Sequence, residues 1–175
     1  MQKNLVIFTD GSTCGNGQLW AYGGIGIFFP YGDALNVSEP YLHKNVTNNR
    51  CELYAIYFAI GVIIPIIKKY KEVIIYSDSH YSIDSLTKWI HAWRKNNWKD
   101  SKGKEVSNQD LIKPIYKLLK IYPHIKFIHV RSHTHQEDFI SQCNDVVDKL
   151  AVRGGQIAKF IKQKQLKKKV KRCKF

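Results

Sequence analysis

"LVIFTDGSTCGNG", residues 5–17, decides how the chain is read. Leu5, Val6, Ile7 and Phe8 form an apolar run suited to a buried strand. Thr9 and Asp10 follow at once, and the chain is then expected to turn on Gly11, Gly15 and Gly17. A buried carboxylate without a partner is strongly unfavourable unless it takes up a proton, so packing alone does not place one at a strand end. Asp10 needs a partner, and the remaining sequence offers candidates.

Residues 72–78, "EVIIYSD", repeat the form: a short apolar strand, as in a sheet covered on both faces, ending in Ser77 and Asp78. Between the two runs, residues 23–29 ("GGIGIFF") and 34–41 ("ALNVSEPY") predict two more strands, linked through Tyr31-Gly32-Asp33 as an antiparallel meander. Residues 47–64, "TNNRCELYAIYFAIGVII", predict a helix capped near Thr47 to Asn49, apolar on most faces and ended or kinked at Pro65. A helix is expected over about 81–90, then a basic aromatic segment, a helix over about 108–119 and a strand over 125–130. Residues 133–143 read as a polar loop. A last helix is expected from Asn144, with a break at Gly154-Gly155. Three strands followed by helix-strand-helix-strand-helix predict a mixed α/β sheet, with ligands gathering outside the carboxyl ends of its strands.

The totals fit that frame. The 175 residues suffice for one domain with a sizeable core. No apolar run reaches membrane-spanning length, and residues 1–11 enter a strand with no secretory signal, so no membrane association is expected. Cys14, Cys51, Cys143 and Cys173 form no CxxC pair, which argues against a zinc site and fits a reducing intracellular compartment. The net charge is +14, and ten of the 28 Lys and Arg lie from Arg153 onward, where there is no Asp or Glu. A mildly basic body with a basic arm, residues 154–175, favours a polyanion partner, nucleic acid first; a merely solubilising tail has the same composition.

Four acids stand in apolar settings on four separate elements: Asp10, Glu52, Asp78, and Asp148 within "VVDKLA". Singly, each has an ordinary explanation, a turn-forming Asp or a salt-bridged Glu. Together they would repel unless a cation lay among them. An all-oxygen set suits Mg²⁺ or Mn²⁺ rather than zinc.

With these acids in this order, the chain resembles the type 1 ribonuclease H family, whose members cleave the RNA strand of RNA–DNA hybrids with divalent metal. "TDGS", "TNNRCELYAI", "YSDSHY", "LTKWIHAWRKNNWK", "VSNQDL" and "NDVVDKLA" carry the likeness over about residues 5–151. The resemblance implies a ribonuclease H-like five-stranded sheet flanked by helices, forming a catalytic domain over residues 1–153. It implies two Mg²⁺, with Mn²⁺ as the alternative, held by Asp10, Glu52, Asp78 and Asp148, and hydrolysis that leaves 5′-phosphate and 3′-hydroxyl ends. Asp145, on the same helix face, is the rival of Asp148; the register of "DKLA" favours the latter. A histidine before the last helix moves protons or assists product release in the family. "HVRSHTH" offers His129, His133 and His135, of which His133 matches best.

The resemblance also assigns substrate contacts. Gly11, Thr13, Gly15 and Asn16 would follow the RNA, whose 2′-OH both donates and accepts, with Asn48, Asn49 and Ser79 beside them. Thr47 and Asn108 would hold a DNA phosphate. Trp89, Trp93 and Ser101 would line a channel for the DNA strand next to a basic protrusion, with Trp98 in the core. The expected partner is the RNA–DNA hybrid, bound by a monomer with no small-molecule cofactor, in the cytoplasm or, if the basic tail is an import signal, the nucleus. Rival readings are a DNA-cutting or strand-transfer enzyme on this fold, a hybrid-binding module, and a basic structural protein. A pure binder gains nothing from four mutually repelling acids.

Overall fold

The computed structural model describes residues 3–131 and 138–172. β1 (Leu5–Cys14), β2 (Tyr22–Phe28) and β3 (Val37–Tyr41) form the expected antiparallel meander, and β4 (Val73–Ser77) and β5 (Ile125–His129) run parallel to β1. The sheet order is β3-β2-β1-β4-β5, the mixed sheet anticipated from the sequence. Parallel neighbours need crossovers, supplied by α1 (Asn48–Ile63) before β4 and by a helical stretch before β5.

α1 buries eight of its 16 residues and packs on one face of the sheet. Leu53, Ile56, Ile60 and Ile63 meet Leu5, Ile7, Val73 and Ile75 there, with Ile112 and Ile115 of α4 (Gln109–Ile121) closing the layer. The Thr47 hydroxyl caps α1, accepting the Arg50 N–H at 3.3 Å, and the helix ends just before Pro65. The alternate side chains of β1 and β4 face the other way: Phe8 stacks on Tyr76 at 4.7 Å beneath Cys143 and Val147 of α5 (Phe139–Arg172). β4 is thus covered on both faces, which is why its sequence is apolar throughout.

Three expectations change. β1 does not stop at Asp10 but continues to Cys14, because β2 goes on pairing with it after β4 has ended: the parallel register stops at Phe8–Tyr76, while the antiparallel one runs to Cys14–Tyr22. The helix expected over 81–90 is α2 (His80–Asp84), a π turn (Ser85–Trp89) and α3 (Ile90–Lys95) in one run, with the Thr87 hydroxyl donating back to Ile83 O at 2.7 Å. The break expected at Gly154-Gly155 is absent: α5 begins at Phe139 and passes through both glycines. A Cβ on Gly24 of β2 would collide with the backbone of these two residues, and one on Gly154 with Glu39. These glycines bring helix and sheet backbones into contact rather than ending the helix. No helix among the described residues is long and apolar enough to cross a membrane.

Candidate active site

The fold opens a fork where β1 and β4 part. Asp10 projects from β1 just past the last pair shared with β4, and Asp78 follows the last residue of β4. The first turns of α1 bring Glu52, and α5 brings Asp148. Gly11 makes the first of these approaches possible, since any β-carbon there would overlap the backbone of Cys51 and Glu52. Carboxylate oxygens of Asp10, Glu52 and Asp78 all lie within 4.8 Å of one another. Asp10 is 7% exposed and Glu52 4%, whereas Asp78 and Asp148 are half-buried. All four line a cleft of ≈ 410 Å³ together with Gly11, Thr13, Asn48, Asn49 and Ser79. Asp145, the rival acid one turn away, is exposed and does not line it.

The electrostatics are those of an incomplete site. Burial, then the charges of Asp78 and Asp148, push the Asp10 carboxyl up to about 7. Glu52 is raised well above the carboxylate range, first by burial and then by Asp10 and Asp78. At Asp10 a hydrogen bond with Glu52 and the Gly11 N–H offset only part of this; at Glu52 the Gly11 N–H alone offsets it, and the bond with Asp10 raises the carboxyl further. One oxygen, Glu52 Oε2, is buried without a hydrogen-bond partner among the described residues. An orphaned carboxylate oxygen beside two more acids, in an all-oxygen donor set, fits a hard divalent cation such as Mg²⁺ or Mn²⁺.

Of the substrate residues expected from the sequence, the structure gathers several in an adjoining hollow of ≈ 420 Å³. It shares Asn48, Asn49 and Tyr81 with the cleft and adds Asn16, Thr47 and Asn108. Asn16 Oδ1 accepts the Asn48 N–H at 3.0 Å, tying the β1–β2 turn to the start of α1. Asn108, with φ 61°, donates to the Tyr81 hydroxyl at 2.9 Å. The Ser79 hydroxyl caps α2, accepting the Ser82 N–H at 3.2 Å. Gly15 holds a φ of 71° against the Trp20 ring. Trp89 is 40% exposed, 6.0 Å from Tyr81 and 5.7 Å from Trp93, which packs partly on the core as Trp98 does. Ser101 sits in an exposed turn outside both hollows. His133 and His135 lie outside the described residues; His129 is within them, its Nε2 3.1 Å from Asp78 O and its ring stacked on His80 at 3.5 Å.

The sequence reading missed a role for Arg50. Its guanidinium holds both oxygens of Asp110 at 2.9 and 2.6 Å, reaches Asn108 Oδ1 at 3.3 Å and donates to the Tyr41 hydroxyl at 3.0 Å. The one cation on α1, beside a helix body that is largely apolar, was the available signal.

Comparison with known proteins agrees with this geometry. The RNase H family model matches residues 2–156. A ribonuclease H of Actinobacillus succinogenes is 38% identical over 159 residues, covering 89% of this chain and 92% of that one. The solution structure of the PFV RNase H domain superposes with a TM-score of 0.67 at 24% identity, covering 90% and 97% of the two chains. LC11-RNase H1 in complex with an RNA/DNA hybrid superposes at 0.59 and 19% identity, covering 88% and 98%. These last two likenesses speak for the fold, and the first two findings for descent: the chain belongs to the ribonuclease H family and is a nuclease of the hydrolase class.

Proposed function

We propose that the chain is an endonuclease that hydrolyses the RNA strand of RNA–DNA hybrids, using two Mg²⁺ held by Asp10, Glu52, Asp78 and Asp148 and leaving 5′-phosphate and 3′-hydroxyl ends. The observation that carries this is the packing of three carboxylates within 4.8 Å, with Glu52 Oε2 orphaned among them. Bound there, divalent ions would supply an activated water and neutralise charge on the leaving oxygen.

The chain's own residues do the rest. The half-buried Asp78 and Asp148 leave one side of the cleft open to a phosphodiester. Asn48 and Asn49, exposed on the first turn of α1, offer donors and acceptors to the minor groove of a bound duplex. Thr13, Gly15 and Asn16 line the RNA side, where a 2′-OH rewards such groups. Thr47 and Asn108 take a DNA phosphate. Trp89 offers an aromatic face to the DNA strand, with Trp93 behind it and Ser101 on the outer turn. His133 assists proton movement or product release. The enzyme works as a monomer without a small-molecule cofactor, inside the cell, and Mn²⁺ substitutes for Mg²⁺.

The test is incubation with an end-labelled hybrid, with and without Mg²⁺, beside Asp10→Asn, Asp78→Asn, Asp148→Asn and Asp145→Asn. Metal-dependent cutting of the RNA strand alone is expected. It should be abolished in the first two variants, reduced about 100-fold or more by Asp148→Asn, and left within about twofold by Asp145→Asn. Cutting of an all-DNA duplex would favour a different nuclease on this fold. Tight binding without cutting under either metal would overturn the catalytic reading.

A further inference from the structure

A second feature joins the cleft along α5. The catalytic cleft shares Ser12 and Thr13 with a hollow of ≈ 160 Å³ that reaches Tyr22, Val152 and Gly155. That hollow shares Tyr22 with a groove of ≈ 390 Å³ lined by Leu19, Trp20, Lys159, Lys162 and Leu166. Asp148, Val152, Gln156, Lys159, Gln163 and Leu166, each exposed or half-buried and lining these hollows in turn, succeed one another at helical spacing, so one face of α5 runs from the carboxylates to the groove. That face is about 27 Å long, so a tail of about eight nucleotides is long enough to follow it even at the ~3.4 Å rise of a stacked strand.

The groove has the chemistry of a nucleotide seat. Its floor is apolar and unusually bare: Leu19 is 104% exposed, Trp20 62% and Leu166 63%. Its wall is cationic: Lys159 lies 5.5 Å over the Tyr22 ring, and Lys162 donates to the Ala21 carbonyl. No acidic residue among the described ones lines it, and none occurs in the sequence from Arg153 onward. Trp20 sets one face of its ring against Gly15, in a turn closed by Gln18 N–H to Gly15 O at 2.8 Å and Ala21 N–H to Gln18 O at 3.0 Å. A paired base in a duplex has both faces stacked and none to offer such a floor, whereas an unpaired base has.

We propose that a single strand of nucleic acid, continuing out of the hybrid beyond the carboxylates, runs along this face of α5 and seats an unpaired base on Trp20, with its phosphates on Lys159 and Lys162. The proposal rests on the hybrid-cleaving reading of the cleft. It gives the chain a preference for hybrids that end in an unpaired tail.

The test is fluorescence anisotropy on the full chain with Ca²⁺ in place of Mg²⁺. It compares a blunt hybrid with the same hybrid carrying an unpaired tail of about eight nucleotides on each of its four strand ends in turn. One tail position should tighten binding about tenfold or more. Lys159→Gln combined with Leu166→Ser should erase that gain while leaving blunt-hybrid cleavage and the melting temperature unchanged. No gain from any tail, or a gain that survives in the double variant, would overturn the proposal. A gain equally large with an abasic tail would overturn the base seat. A blunt hybrid left uncut under Mg²⁺ would overturn the catalytic reading instead. In that case a labelled single strand alone still reads the groove, since it should lose affinity in the double variant and sinks the proposal if it does not.

Discussion

Arg50 and Glu52 stand two residues apart on α1, both with little access to water, yet their charges are in opposite situations. The guanidinium is met on every side: a bidentate carboxylate, an amide oxygen and a phenol hydroxyl. Its partner Asp110 is held below the usual carboxylate range by that contact. The carboxylate of Glu52 is met by two more acids and has an oxygen with no partner among the described residues. A buried charge with all its partners present holds the fold together. A buried charge surrounded by its own sign strains the fold unless something from outside completes it.

The comparison breaks most visibly at Glu52. Glu52→Gln should lower cleavage about 10³-fold or more, since several kcal/mol of cation-supplied stabilisation is at stake. Yet it should raise the melting temperature of metal-free protein at pH 8, because burial beside two acids disfavours the ionised form that the unfolded chain adopts freely. Lower activity together with lower stability would mean that Glu52 is structural, as Arg50 is.

The next effect is one of pH. Folded Asp10 keeps its proton up to about 7, while the unfolded chain releases it near 3.8. Between those values the folded state binds more protons through Asp10, so the contribution of Asp10 to the stability of metal-free protein falls as pH rises and levels off above about 7. Glu52, also raised, adds a fall of the same sign. Asp10 alone sets a ceiling of about 4 kcal/mol on its own share. Thermal melts in chelator from pH 4 to pH 8 should show the slope, Asp10→Asn should make it shallower, and saturating Mg²⁺ should remove it. A slope unchanged in Asp10→Asn would place its origin elsewhere.

The smallest effect sharpens the other side. Arg50→Met should cost about 2 kcal/mol by leaving Tyr41 and Asn108 without their donor, a fall of roughly 4–8 °C in melting temperature. The stabilisation by added Mg²⁺ should be unchanged. Loss of the Mg²⁺ response would join the two charges into a single site.

The mixed character of the sheet and the grouping of Asp10, Glu52 and Asp78 were legible in the sequence because each rests on a local pattern. Apolar runs that end in an acid mark strands at the carboxyl edge, and one acid in an apolar helix marks an inward face. What eluded the sequence depends on contacts across the molecule. β1 outruns Asp10 because β2 keeps pairing with it, which no window around residue 10 reveals. Gly154-Gly155 reads locally as a break, and only the neighbouring Gly24 and Glu39 backbones explain it as close packing. Arg50 lies inside a motif read for its acid and asparagines, while its partners Tyr41, Asn108 and Asp110 come from elsewhere in the chain. Asp145 and Asp148 share a helix face, and only the rotation of α5 over the sheet separates the exposed acid from the one lining the cleft.

The glycine contact between β2 and α5 also bears on how the molecule reaches its folded state. Gly24 and Gly155 touch across more than 100 residues of chain, and α5 covers the same sheet face that Phe8 and Tyr76 present. Contacts of such separation form late and slowly, because the loop between them must close first. During synthesis β1, β2 and β3 leave the ribosome long before their cover does. A chain halted before Phe139 would display that apolar face bare, a surface suited to chaperones and to self-association. The second half of the cleft, with Asp148, arrives together with the cover, so completion of the fold and assembly of the four acids are the same late event.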